Sequence, residues 1–142
     1  MLKGLPPVLN GDLLKILRDM GHGDELAIVD ANYPAAAHAK RLVRVDVSAT
    51  EILAAILTVM PLDDFVDAPA MVMSPGKKEA PPVLGAFRKV VDAAGGKKFK
   101  IAALPRFEFY DRANDAFAMV ASYERRLYGN IIVKKGILRP DE

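Results

Sequence analysis

Two side chains able to bind a ligand or exchange a proton with it lie at opposite ends of one apolar run. His22 stands between two glycines before the run, and Asp30 follows its last residue, Val29. Histidine, with an unperturbed pKa of about 6.5, acts as both acid and base near pH 7. The flanking glycines leave the imidazole accessible. His22 could therefore act as an acid and a base, and Asp30 could accept hydrogen bonds.

The separation of His22 and Asp30 limits how they could act on one ligand. The apolar run predicts a strand buried on both faces. Glu25 to Asp30 would then span roughly 15 Å, because a strand rises about 3.3 Å per residue. Either the histidine loop folds back, or a neighbouring subunit supplies one of the two groups. In the second case an oligomer would be part of the chemistry.

The composition predicts a single α/β domain over residues 1–142. A chain of 142 residues buries about 68–70% of the surface that its unfolded form exposes. Hydrophobic residues make up 51% of the sequence and aromatic residues only 7%, with no Trp, so the core must be aliphatic. Such a core is typical of a mainly parallel sheet covered by helices.

Residue types and charge narrow the function classes. The absence of Cys excludes disulfides, thiolate catalysis and Cys-bound zinc. The net charge of +2 comes from 20 basic and 18 acidic residues spread along the chain, so no nucleic-acid partner is expected. The sequence has no run of 18 apolar residues, and residues 1–11 lack the apolar centre of a signal peptide. We therefore expect a cytoplasmic protein without a membrane partner.

Apolar residues recur at helical spacing in several stretches. The first stretch ends at Gly21, the predicted stop, so its helix delivers the chain directly to His22. Ser48 and Glu51 form a capping box, in which the serine accepts from the backbone of the third helical residue and the glutamate reaches back. The predicted helices run from Asp12 to Met20, from Ser48 to about Met60, from Pro82 to the Gly95-Gly96 pair, and from Pro105 to Ala113.

Short apolar runs between the helices predict strands. These runs cover 26–29, 42–45, 70–73, 99–104, 116–121 and 131–135. Residues 35–40 are predicted as a connector of small residues. Because strands alternate with helices as far as Leu104, the sequence predicts a layered α/β fold. The last two strands are predicted to pair with each other at an edge of the sheet.

Four motifs together resemble the L-fucose mutarotase family, a relative of the D-ribose pyranases. They occur in order and cover nearly the whole chain: Gly21-His22-Gly23-Asp24-Glu25, Asp30-Ala31 with Pro34, Arg106-Phe107-x-Phe109-Tyr110-x-Arg112-Ala113, and Glu124-Arg125-x-x-Tyr128-Gly129-Asn130-Ile131-x-x-x-Lys135-Gly136. The resemblance implies an isomerase that interconverts the α and β anomers of a free sugar without metal or cofactor. It also implies a ring oligomer, commonly a decamer, with active sites between subunits.

The resemblance assigns roles to individual residues. It implies that His22 is the proton donor. It implies that the monosaccharide is bound by Asp30, Arg106, Tyr128, Gly129 and Asn130. The chain departs from the family pattern at Tyr123, where a glycine is common, and at Asn32-Tyr33 after the aspartate. These departures bear on the preferred sugar.

Several alternatives remain open at this point. The chain could be a D-ribose pyranase, although the segment around Arg106 favours the fucose branch, or a sugar-binding ring without activity. His22 could only cap the preceding helix, and Asp30 could only cap a turn. Arg106 and Glu108 could be a solvated pair. Phe109 and Tyr110 are predicted to pack, and the Lys77-Lys78, Lys97-Lys98-x-Lys100 and Lys134-Lys135 runs to lie in solvent.

Overall fold

The computed structural model describes residues 1–95 and 98–142. Within these ranges the chain forms a six-stranded mixed sheet and five helices. The strands are β1 (Glu25–Val29), β2 (Leu42–Arg44), β3 (Ala70–Met73), β4 (Ile101–Leu104), β5 (Ala118–Ala121) and β6 (Ile131–Lys134). The helices are α1 (Gly11–Asp19), α2 (Ala35–His38), α3 (Ala49–Leu57), α4 (Pro82–Gly95) and α5 (Arg106–Asp115). The predicted α/β class is confirmed.

Five strands of the sheet point one way and β6 points the other. The strand order is β2-β5-β1-β6-β3-β4. The β1–β5, β2–β5 and β3–β4 pairs are parallel, whereas β6 is antiparallel to both β1 and β3. The prediction of a mainly parallel sheet is therefore correct for all strands but β6. Because β6 is reversed, its first residues lie at the edge of the sheet where β1 and β3 end.

The prediction that the last two strands pair with each other is wrong. β5 lies between β2 and β1, and β6 lies between β1 and β3. Residues 118–120 of β5 and 131–133 of β6 are buried. Strands that are apolar on both faces gain most from neighbours on both sides, so they occupy the interior of the sheet. The short strands β2 and β4, which are partly exposed, form the edges.

Three local predictions need correction. Residues 35–40 contain the helical turn α2, whose Ala39 N–H donates to Ala35 O at 2.8 Å, because alanine is the best helix former. Helix α3 ends at Leu57, before the predicted end at Met60. The cap of α1 is Met20 rather than Gly21, with the Met20 N–H donating to Ile16 O. Gly96 of the predicted Gly95-Gly96 stop, and Lys97, lie outside the described residues.

Helices cover both faces of the sheet, and successive side chains of β1 point alternately to one face and the other. Leu26 and Ile28 point to the face covered by α1, α3 and α4, whereas Ala27 and Val29 point to the face covered by α2 and α5. All four side chains have no exposed surface. None of the helices in the described ranges is long and apolar enough to cross a membrane.

Gly136 and Gly85 provide a matched pair that tests the packing at the end of β6. A Cβ on Gly136 would lie 2.5 Å from the carbonyl oxygen of Leu62, whereas a Cβ on Gly85, within α4, would meet no atom within 4 Å. We expect Gly136→Ala to lower the free energy of unfolding by about 1–3 kcal/mol. We expect Gly85→Ala to raise it by about 0.5–1 kcal/mol. Urea unfolding measures both, and equal midpoints would contradict the packing described here.

Candidate active site

Polar side chains converge on a cavity of about 370 Å³ at the edge of the sheet where β1 and β3 end and β6 begins. The carboxyl ends of strands are the usual ligand-binding edge of α/β sheets. The lining includes Asp30, Tyr33, Lys78, Arg106, Tyr128 and Asn130. The structure therefore brings together four of the five residues for which the sequence predicts sugar binding. The fifth, Gly129, is buried and does not line the cavity.

Asp30, after β1, and Asn130, before β6, are joined by two hydrogen bonds. The Asp30 N–H donates to Asn130 Oδ1 at 2.8 Å, and Asn130 Nδ2 donates to Asp30 Oδ2 at 3.0 Å. Asp30 Oδ1 also accepts from the Asn32 N–H at 2.9 Å, so the predicted turn-capping role is present as well. Asn130 is only 4% exposed. These bonds fix the Asp30 carboxylate in one orientation at the cavity wall.

The turn before β6, residues 128–130, has a strained backbone conformation that is held in place by close contacts. Tyr128 has φ of 63°, a left-handed conformation that a bulky residue rarely adopts. A Cβ on Gly129 would lie 2.4 Å from Glu124 Cγ, so only glycine fits there. The Asn130 N–H donates to Tyr128 O at 2.8 Å. Such strained positions cluster at functional sites, and this one directs Tyr128 to the cavity.

Arg106, Tyr33 and Tyr110 also line the cavity. Arg106 Nε donates to Tyr110 Oη at 3.1 Å, so Arg106 is not simply a solvated partner of Glu108. The rings of Tyr110 and Tyr33 meet edge to face with centroids 5.7 Å apart. Burial, followed by the nearby Tyr110 and Asp30, raises the pKa of Tyr33 to about 12. The Tyr33 phenol is therefore a neutral hydrogen-bonding group at pH 7.

His22 lies at the other edge of the sheet, in the loop before β1. The loop turns at Gly23, which has φ of 87° and donates its N–H to Lys135 O at 2.8 Å. The carbonyls at the end of α1 are bound by the Lys135 ammonium, which donates to Leu17 O at 2.7 Å and to Met20 O. Lys135 therefore caps helix α1, the role that was the alternative for His22. The prediction that Lys135 lies in solvent is wrong.

The His22 side chain contacts residues that the sequence analysis did not select. Its Nε2 lies 3.0 Å from Oδ1 of Asp63, and its ring centroid lies 5.2 Å from that of Phe65. An apolar groove that includes Leu138 opens beside it. The histidine loop does not fold back to Asp30.

The cavity could bind a small molecule rich in hydroxyl groups. Asp30 offers acceptors, Arg106 offers a rigid fork of donors, and Tyr128 offers an aromatic face with a polar tip. Lys78, which was predicted to lie in a solvated turn, also lines the cavity, as does Tyr110, which was predicted to pack. In residues 1–95 and 98–142 no three His, Cys, Asp or Glu side chains are grouped so that they could hold a metal ion.

The chain is similar to known proteins over almost its full length. The profile of the RbsD / FucU transport protein family matches residues 3–138. The L-fucose mutarotase of Histophilus somni (strain 2336) is 41% identical over 140 residues, which cover 96% of this chain and 97% of that protein.

Solved structures show the same relation. The crystal structure of the fucose mutarotase from Streptococcus pneumoniae in complex with L-fucose is 42% identical and gives a TM-score of 0.91, covering 97% of this chain and 100% of that one. The structure of RbsD from Bacillus subtilis complexed with D-ribose is 24% identical with a TM-score of 0.74, and covers 98% of this chain and 100% of that one. At that identity it shows a shared fold.

The buried carboxylate of Glu124 supports the Tyr128–Asn130 turn and gives a pH-dependent prediction. Hydrogen bonds from Arg126, first from its guanidinium and then from its backbone N–H, hold the pKa of Glu124 below its usual value of 4.5. The carboxylate also accepts from the N–H of Ala49 at 3.2 Å. A lowered folded-state pKa stabilises the protein above the unfolded pKa, and this stability is lost as the pH falls through the folded pKa.

We therefore expect Glu124→Gln to lower the free energy of unfolding by about 1–3 kcal/mol at pH 7. The difference from the wild type should shrink as the pH falls through the lowered folded-state pKa of Glu124, because the wild-type carboxylate then becomes protonated as well. Urea unfolding at several pH values measures this difference. Glu79→Gln, at an exposed position just after a turn, is the control and should not change the free energy of unfolding. A loss of the same size at every pH would assign the effect of Glu124 to packing rather than charge.

Proposed function

This chain belongs to the RbsD / FucU transport protein family, and on that premise we propose that it is an isomerase that interconverts the α and β anomers of L-fucose or a related aldopyranose. The observation that carries the proposal is that Asp30, Arg106, Tyr128 and Asn130 line the same cavity. The L-fucose mutarotases described above, at 41% and 42% identity, support L-fucose as the first sugar to test.

In this proposal the cavity binds the sugar and does not itself move protons. Asp30 accepts hydrogen bonds from sugar hydroxyls, and Arg106 donates to ring or hydroxyl oxygens. The ring of Tyr128 packs against the apolar face of the pyranose. Because Gly129 has no side chain, its backbone can lie close to Glu124. This packing directs Tyr128 toward the cavity. These groups fix the orientation of the sugar relative to an acid–base group.

His22 is the proposed acid–base group. Mutarotation breaks the O–H bond of the anomeric hydroxyl and the bond from C1 to the ring oxygen, and it forms the C1 carbonyl and a new O–H at the former ring oxygen. The two oxygens are bonded to the same carbon, so one imidazole can accept the first proton and return it to the second. Closure on the other face after rotation about C1–C2 completes the exchange. No metal or cofactor is needed for these steps.

The two halves of the site come from neighbouring subunits in this proposal. The length of β1 separates His22 from the cavity of its own chain. Large apolar side chains are exposed near both halves: Phe107 and Leu127 by the cavity, at 74% and 70%, and Phe65 and Leu138 by His22, at 65% and 69%. Contact between two different surfaces of identical subunits is head-to-tail and can close into a ring. The decamer implied by the family resemblance would be one such assembly.

Exchange NMR on L-fucose at anomeric equilibrium tests the reaction. We expect the protein to increase the exchange rate between the two anomeric signals, and His22→Ala to remove most of a gain of about 10²–10⁴-fold. His38→Ala is the matched control, since His38 is the other histidine and is exposed in α2. An absence of enhancement with L-fucose, D-ribose and D-galactose would leave a sugar-binding ring as the better account. Faster exchange with D-ribose would favour a pyranase.

Mixing two inactive variants tests the shared site. His22→Ala and Arg106→Ala subunits, unfolded together and refolded as a random mixture, should regain about one quarter of the wild-type activity if each site joins His22 of one subunit to Arg106 of another. Each variant refolded alone should stay inactive. A mixture as inactive as its components would instead require both groups to act within one chain.

A further inference from the structure

Lys78 brings a positive charge to the cavity that the proposed sugar-binding roles do not use. It lines the same cavity as Asp30 and Arg106. The charged side chains of the cavity lining are therefore two cations and one carboxylate. No carboxylate of residues 1–95 and 98–142 forms an ion pair with either cation. The cavity wall thus has an excess of positive charge.

The three charged groups differ in how far the protein already satisfies them. Asp30 Oδ2 accepts from Asn130 Nδ2 at 3.0 Å, and Asp30 Oδ1 accepts from a backbone N–H at 2.9 Å. Arg106 donates only through Nε, to Tyr110 Oη at 3.1 Å. Within the described ranges, neither the terminal nitrogens of Arg106 nor the Lys78 ammonium donates to another residue. The hydrogen-bonding capacity that the wall offers to a ligand is therefore mainly cationic.

The turn after β3 holds the backbone of Lys78 beside the cavity. β3 ends at Met73, which also lines the cavity. Gly76 has a left-handed conformation with φ of 66°, and the Lys78 N–H donates to Pro75 O at 3.3 Å. Lys77 is exposed in the same turn and does not line the cavity. Of the two neighbouring lysines, the turn therefore places Lys78 at the cavity.

We propose that the cavity binds uronic acids, pyranoses that carry a carboxylate at C6, and that Lys78 pairs with this carboxylate. This inference rests on the proposed function, since it names a substrate class for the same site. An ammonium is a point charge on a flexible stem, so it can pair with a carboxylate without one fixed geometry. Because Asp30 repels any anion in the same cavity, the single charge of a carboxylate suits the cavity better than the double charge of a phosphate ester.

Three sugars that differ only at C6 test the proposal. L-Fucose has a methyl group there, L-galactose a hydroxymethyl group and L-galacturonate a carboxylate. In saturation-transfer NMR titrations at pH 7 and low salt, we expect the dissociation constant of L-galacturonate to be about three- to tenfold lower than that of L-galactose, as for one charge-assisted contact at an exposed position. Added salt should reduce this difference, because it screens exposed charges.

Variants of the two neighbouring lysines assign the preference to one position. Lys78→Gln should remove it by raising the dissociation constant of L-galacturonate, while that of L-galactose changes less than about twofold. Lys78→Arg, which keeps the charge, should retain the preference. Lys77→Gln is the matched control, because it removes the same charge from the adjacent position outside the cavity. It should leave the dissociation constants of all three sugars unchanged.

Two results would overturn the proposal. One is wild-type binding of L-galacturonate that is no tighter than binding of L-galactose, and the other is a preference that survives Lys78→Gln. Because the titration requires no turnover, an absence of anomer exchange would refute the mutarotase assignment and leave this result intact. Exchange of L-fucose anomers without a preference for L-galacturonate would refute only the present inference.

Discussion

The antiparallel pairing of β6 with β1 is the constraint on which both halves of the proposed site depend. Residues 131–133 of β6 are buried and apolar on both faces, so hydrophobic burial alone does not choose between neighbouring registers. Polar contacts at the two ends fix the register instead. Asn130 is hydrogen-bonded to Asp30 at one end, and the Lys135 N–H donates to Asp24 O at the other. The residues that fix the strand are thus the same ones that shape the cavity and hold the His22 loop.

The two ends are stabilised by different means. At the cavity, backbone conformation determines the geometry: Tyr128 is left-handed, and Gly129 lies against the buried side chain of Glu124. At the histidine, side chains determine it, since Asp63 and Phe65 hold the ring while the loop itself is exposed. In the proposed reaction the sugar must open, rotate and close, and a rigid cavity wall with a more accessible imidazole would suit those steps.

The sequence could predict what local spacing determines. The strand at 70–73 matches β3 residue for residue, and Ser48 caps α3 by accepting from the Glu51 N–H at 3.2 Å. The glycine-bracketed His22 and the residue types at the Tyr128–Asn130 turn were visible for the same reason. Contacts between distant segments were not predictable in this way. Asp63 is 41 residues from His22 and carries no motif, and Lys78 resembled any other lysine of a solvated turn.

The strand order was missed because it depends on competition between strands. β5 and β6 are both suited to the interior of the sheet, and each gains more by pairing with two buried neighbours than with the other at an edge. The same non-local placement bears on the two departures from the family pattern. Tyr33 lines the cavity against Tyr110, whereas Tyr123 is 66% exposed just after β5. Within one subunit, Tyr33 is therefore the departure that lies in the cavity proposed to bind the sugar.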